Sequence, residues 1–183
     1  MEQFNYLPDQ TKCDVSVIIP AYRAADYIDR AIGSVLHQTI YPKEVIVVDD
    51  GSDDNTSVKI EKYTNNETPI IINKLYQKNK GAGAARNLAI EAATGKYVAF
   101  LDSDDEWLPG KLERSIFHIE RGNFALVAHN VLMIEGHSQE KNDIALRFRK
   151  SCDSLFHGLY RRGFIATSTV LAPLSAIKNA GGF

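Results

Sequence analysis

Four carboxylates crowd the five positions Asp102 to Glu106, directly after the apolar run Tyr97-Val98-Ala99-Phe100-Leu101. The run is short, aromatic and β-branched in character, which predicts a buried strand. While the chain stays extended, Asp102 and Asp104 point to the same side. Two like charges at ~4 Å cost roughly 1 kcal/mol in water and about 4 kcal/mol at the dielectric of a protein surface. A divalent cation reverses that sign, and hard oxygen ligands suit Mg²⁺ or Mn²⁺. The competing use is helix capping, with Asp104 or Asp105 preceding a helix that begins near Pro109.

Two more groups carry charge where glycine bends the chain. Asp49-Asp50-Gly51-Ser52-Asp53-Asp54 follows a second apolar run, with Gly51 permitting a turn and Asp53 or Asp54 able to cap the next helix. Gly81-Ala82-Gly83-Ala84-Ala85-Arg86 invites comparison with the dinucleotide fingerprint, and Asp102 lies about twenty residues on. Against that reading, Arg86 stands where close helix–strand packing needs a small residue. The polar linker Gln77-Lys78-Asn79-Lys80 is also too long for the tight first turn. In the other reading, Arg86 and the basic loop Lys78 to Lys80 face a diphosphate, and the acidic cluster faces the same diphosphate through a metal. The plain alternative for Arg86 is an exposed helix arginine in a surface pair of little worth.

These groups need elements to hold them. Val15 to Pro20 predicts a first strand, buried on both faces and stopped by Pro20. Asp26 can cap a helix in which Ile28, Ala31, Ile32, Val35 and Leu36 recur at helical spacing, ending before Pro42. Glu44 to Val48 predicts a second strand, a helix runs from the Asp53-Asp54 cap to about Tyr63, and Ile70 to Leu75 predicts a third strand. An alanine-rich helix starts near Gly83 and ends at Gly95. After the acidic fourth strand come a helix from Pro109 to Arg121, a fifth strand from Phe124 to Ile134 and a polar loop from Glu135 to Asp143. Leu155 to Arg161 reads as helix, Ser168 to Ala172 as strand and Leu174 to Ala180 as a short helix. The alternation predicts an α/β, Rossmann-like fold with a mainly parallel sheet flanked by helices. Pro20, Asp49-Asp50 and Asp102-Asp104 then share the carboxyl edge, where such sheets bind ligands.

The 183 residues suit one domain, and 44 % hydrophobic with 24 % charged residues is an ordinary globular balance. A formal charge of -2 gives no electrostatic case for nucleic acid. Cys13 and Cys152 have no zinc or disulfide spacing, and no stretch reads as a signal peptide or membrane span. The default setting is cytoplasmic and reduced, with room for peripheral attachment at the inner face of a membrane.

Taken together, Val15 to Tyr22, Val47 to Ser52, the run N-K-G-A-G-A-A-R-N from Asn79 to Asn87, Phe100 to Asp105, and Gly181-Gly182-Phe183 resemble glycosyltransferase family 2, with the GT-A fold. The resemblance implies that Pro20 lines a nucleotide pocket and that Asp50 reads the base, usually uracil. It brings Arg86 near the donor phosphates, Asp102 near the ribose and sugar, and Asp104 onto the metal. Tyr22, Asp49, Gly81 and Ser103 join the nucleotide-sugar contacts. The implied reaction moves a sugar from a nucleotide-sugar, a UDP-sugar above all, to a saccharide or lipid-linked acceptor with inversion. A carboxylate base deprotonates the acceptor. In relatives an acidic segment carrying that base follows the Gly-Gly-Phe landmark, whereas this sequence stops at Phe183. The chain therefore reads as a single catalytic domain truncated at its C-terminal end, with Asp143 and Asp153 as weak internal substitutes for the base.

Three function classes remain: a glycosyltransferase, a nucleotide-sugar-binding fragment without transfer activity, and an outside dinucleotide oxidoreductase. Metal dependence separates the first two from the third. Turnover separates the first from the second.

Overall fold

The computed structural model describes residues 11–65, 68–122, 124–135, 138–142 and 165–183. A five-stranded sheet runs in the order β3-β2-β1-β4-β7. Its members are β1 (Lys12–Ala21), β2 (Tyr41–Asp49), β3 (Ile71–Tyr76), β4 (Tyr97–Phe100) and β7 (Leu171–Pro173). The first four are parallel, and β7 joins β4 antiparallel. Helices α1 (Ile28–Leu36), α2 (Thr56–Glu61), α3 (Ala82–Ala92), α4 (Lys111–Gly122) and α5 (Leu174–Asn179) connect or follow the strands. The alternation of residues along β1 explains the two-layered core. Val15, Val17 and Ile19 pack with α1, while Ile18 packs with Ala85, Ala89 and Ile90 of α3. Alanines on that face of α3 let the helix lie close to the sheet.

The chain winds outward from β1 to β2 and β3, then returns to place β4 on the other side of β1. The switch point therefore lies between β1 and β4. Their pairing stops at Ile18 and Phe100, with Leu101 N–H donating to the Ile18 carbonyl at 3.0 Å. Pro20 does not end β1 as expected; it sits inside the strand opposite Val48. Pro20 has the parity of Ile18, so its missing N–H faces the β4 side, where the ladder has already ended.

Several local expectations give way to tertiary contacts. Asp26 does not cap α1, whose first turn closes on the Ala24 carbonyl and has no side-chain cap. The nearby Ala24 and Ala25 N–H groups are taken instead by Thr56 Oγ1 (2.8 Å) and Asp54 Oδ2 (3.2 Å) from the loop before α2. Asp54 Oδ1 also accepts the Thr56 N–H, satisfying a donor of the first turn of α2. Gly95 does not cap α3, which ends at an extended Ala93. A Cβ at Gly95 would lie 2.6 Å from Ser16 N, so the glycine allows a close crossing of β1. The fifth strand covers only Val131–Glu135 (β5) rather than Phe124 to Ile134. The supposed loop contains β6 (Ser138–Asn142), paired antiparallel with β5. Upstream, Val127 makes an isolated bridge to Leu171. The Leu155 to Arg161 helix expectation lies outside the described residues.

Candidate functional site

The carboxyl edge gathers most of the predicted residues. Asp50 follows β2, is 2 % exposed and holds three donors. Gln77 Nε2 (2.6 Å) and Lys80 N (2.9 Å) donate to Oδ1, and Gly81 N donates to Oδ2 at 2.8 Å. The carboxylate therefore organises the loop between β3 and α3. It also takes the N–H of Gly81, the residue preceding α3. Gly51 sits at φ 75°, where a Cβ would lie 2.7 Å from Asn79 N, so the same loop packs on the turn after Asp50.

Asp49 differs from its neighbour. It is 1 % exposed and its Oδ1 accepts the Ser52 N–H at 2.9 Å, but Oδ2 is buried without a hydrogen-bond partner. An unsatisfied buried acceptor costs about 1–3 kcal/mol. Tyr22 stands beside this edge, half-exposed, with the Arg23 guanidinium 5.4 Å from its ring centroid. Arg23 adopts φ 48° and pairs through both Nε and Nη2 with the Asp53 carboxylate. Its N–H meets Ser52 Oγ at 3.1 Å, so the loops after β1 and β2 are locked together.

On the other side of the switch point, Arg86 Nη2 meets Asp102 Oδ1 at 2.5 Å. This is no loose surface pair, because the two side chains are only 12 % and 32 % exposed. Arg86 Nε is buried and unpartnered, leaving a donor for an anion. Asp102 and Asp104 do not share one side of an extended strand. The strand ends at Phe100, and a turn closes with Asp105 N–H on the Asp102 carbonyl at 3.1 Å. Ser103 is half-buried in that turn and Asp104 is exposed. Asp105 does not cap α4; its Oδ2 accepts the Ser168 hydroxyl, and Ser168 Oγ accepts the Asp102 N–H. Loss of solvent pushes the Asp105 carboxyl up, and the Asp104 and Asp102 charges add to that against the Ser168 hydrogen bond.

Two residues that secure this edge had no distinguishing signal in the sequence, Gln77 and Ser168. Gln77 lies 27 residues from Asp50, and Ser168 lies 63 from Asp105. Trp107 is tied to the same place, its indole N–H donating to the Ser168 carbonyl at 2.8 Å.

Carboxylate oxygen suits a hard divalent cation. Of the three aspartates in the turn, Asp102 is paired with Arg86 and Asp105 with Ser168, which leaves the exposed Asp104 as the one that could offer oxygen to such an ion. Among the described residues no three His, Cys, Asp or Glu side chains are gathered as a closed metal site, so ligand oxygens would have to complete the shell. The alternative base candidates Asp143 and Asp153 lie outside the described residues.

An α/β sheet with carboxylates and a guanidinium at its switch point has its candidate ligand site where open α/β sheets bind ligands. Known proteins narrow the reading. The family described as "Glycosyl transferase family 2" matches residues 16–169. An uncharacterized glycosyltransferase of Nostoc sp. is 37 % identical over 149 residues, covering 81 % of this chain and 46 % of its own length. The UDP-Glc:alpha-D-GlcNAc-diphosphoundecaprenol beta-1,3-glucosyltransferase WfgD of Escherichia coli is 39 % identical over 124 residues, covering 68 % of this chain and 48 % of its own. The crystal structure of S. aureus TarS 1-349 in complex with UDP superposes with a TM-score of 0.71 at 25 % identity, over 91 % of this chain and 48 % of that one. The chain belongs to glycosyltransferase family 2 and has the GT-A fold. It spans about half the length of the curated relatives it matches. The dinucleotide reading of the glycines falls with this: Gly81 follows the edge strand β3, not the first strand of the fold. No described helix is long and apolar enough to cross a membrane.

Proposed function

We propose that this chain builds the donor side of an inverting transferase that moves a sugar from a UDP-sugar to a saccharide or lipid-linked acceptor. The observation that carries the reading is the buried, unpartnered Asp49 Oδ2 at the end of β2. A uracil N3–H would satisfy it, whereas cytosine offers an acceptor at the same ring position. Asp50, expected from the resemblance to read the base, already holds three donors of the 77–81 loop and keeps acceptor capacity on Oδ2, so in this reading Asp49 and Asp50 lie side by side at the base. In this reading Pro20, Tyr22 and Gly81 would line the base side, and Arg86, Asp102 and Ser103 would take the ribose, sugar and diphosphate side.

In the transfer, the acceptor oxygen attacks the anomeric carbon as its bond to the diphosphate oxygen breaks. The acceptor proton passes to a carboxylate base outside the described residues. Arg86 meets the charge that grows on the leaving diphosphate. Asp104, with the diphosphate oxygens, would hold Mg²⁺ or Mn²⁺, which supplies Lewis-acid neutralisation of that charge. WfgD, by its name, acts on a diphosphoundecaprenol acceptor; a lipid-linked saccharide here would place the chain at the cytoplasmic face of a membrane.

Titration calorimetry with UDP and CDP tests the base contact. The parent should prefer UDP, and Asp49→Asn should remove most of that preference, a change of roughly 1–3 kcal/mol for a hydrogen bond to a charged group. Asp50→Asn should weaken both nucleotides alike. A parent that binds UDP and CDP equally, or an Asp49→Asn variant with its preference intact, would sink the assignment.

A further inference from the structure

Asn87 stands next to Arg86 on α3 and makes contacts that none of the roles above uses. Its Oδ1 accepts the Phe183 backbone N–H at 2.9 Å, and its Nδ2 donates to the Phe183 backbone oxygen at 3.0 Å. A carboxamide that gives to and takes from the same residue imitates a strand partner. It fixes both the position and the direction of that backbone. The approach is made by Gly181 and Gly182 at φ 92° and 83°. A Cβ on Gly182 would run into Asn87 Oδ1. The turn is therefore shaped to this one side chain.

What the clamp delivers is the Phe183 ring. The Arg86 guanidinium carbon lies 5.0 Å from the ring centroid. The ring meets Phe100 of β4 in a T-shaped contact, with centroids 5.1 Å apart at 74°. Arg86 is thus held between Asp102 on one side and the ring on another, with its Nε still unpartnered. A long arginine held by only one ion pair keeps considerable rotamer freedom. The ring removes part of that freedom and aims the remaining donor.

We propose that Asn87 is a positioning residue, which clamps the Gly182–Phe183 turn so that the Phe183 ring sets the Arg86 guanidinium for a diphosphate. The proposal rests on the donor-site reading, and it ties a segment almost a hundred residues away in the chain to phosphate recognition. It differs from a plain structural clamp in what it predicts for two ligands. Uridine offers the base and ribose without the phosphates; UDP offers all three.

The test titrates the 183-residue chain with both ligands, beside Asn87→Ala and Gly182→Ala. The second variant attacks the same contact from the other side. Each should weaken UDP roughly fivefold to tenfold, the effect of a lost hydrogen bond, and leave uridine within about twofold. Combined with Arg86→Ala, Asn87→Ala should cost UDP nothing further, because both changes remove one function. Equal losses for UDP and uridine would make the clamp merely structural and overturn the proposal. So would a parent that binds UDP tightly alongside variants that bind it equally well. A parent that binds neither ligand would overturn the donor-site reading, and the clamp's purpose with it.

Discussion

Lys111 should be the least comfortable charge among the described residues, and removing it should stabilise the chain. It opens α4 at 7 % exposure, and its Nζ has no hydrogen-bond partner. The ammonium lies 3.8 Å from the Trp107 ring centroid. Burial pushes its pKa from 10.5 down to about 7. The nearby Cys13 offers no counter-charge, since burial pushes its thiol up to about 11. Burial and then the Lys111 charge also hold the His129 imidazole low, and its Nε2 is a second buried group without a partner. The fall from 10.5 to about 7 corresponds to a ceiling of about 5 kcal/mol at 1.36 kcal/mol per pK unit. Cation–π attraction to Trp107 returns about 1–2 kcal/mol. Lys111→Met, of similar length and uncharged, should therefore gain about 2–4 kcal/mol at pH 6. Because the folded value is the lower one, the unfolded chain binds more protons between about pH 7 and 10.5. Parental stability from this group should rise with pH across that window, with the full penalty present below it. Urea midpoints at pH 6 and 9 should converge for parent and Lys111→Met as pH rises. Lys111→Arg, which cannot shed its proton, should be less stable than parent at both pH values. Parallel pH dependence of parent and the Met variant would refute the argument, because it would mean that the ammonium finds a partner or water.

Two further outcomes follow from the acidic residues. Asp104→Ala should abolish the Mg²⁺- or Mn²⁺-dependent part of UDP affinity in calorimetry and leave metal-free binding and the melting temperature unchanged; a retained metal increment would move the ligand elsewhere. Glu44, buried at the opposite edge of the sheet, accepts Ser16 Oγ at 2.7 Å, Thr94 N and Oγ1 at 2.8 Å each, and Asn73 Nδ2 at 3.2 Å. Burial raises its pKa, but the Ser16 and Thr94 hydrogen bonds more than offset this, and the net shift is downward. Glu44 therefore contributes stability above the ordinary glutamate pKa of ~4.3, lost as pH falls through its lower folded value. Glu44→Gln should lose roughly 1–3 kcal/mol at pH 7 and flatten the acid limb of denaturant midpoints; an unchanged acid limb would count against the network.

The sheet was legible because buried parallel strands announce themselves as continuous apolar runs. Val45 to Val48 and Val98 to Leu101 have no polar residue to confuse the pattern. The edge carrying the candidate site was legible for the same reason, since each of these two runs ends abruptly in carboxylates. What each carboxylate does was not. Asp49 and Asp50 are chemically identical neighbours, and only the folded loop from Gln77 to Gly81 gives one of them three donors while an oxygen of the other is left without a partner. The β6 segment Ser-Gln-Glu-Lys-Asn carries no strand propensity and is drawn into pairing by β5. Asp26 was a sound local cap, overruled because Thr56 and Asp54 reach the same turn from another loop.

Pro20 has a consequence for how the protein waits for its ligand. A residue with an N–H there could let β1 go on recruiting strand partners past Ile18. A misregistered segment, or the edge of a second molecule, could then zip into the gap. An imino acid denies that docking energy to any competitor. On the proposed reading of this edge, a ligand docking there would not first have to evict chain from it. Little of the binding free energy is then spent on reorganisation. Substituting Pro20 would, on this view, act less on any direct contact than on the fraction of molecules ready to bind.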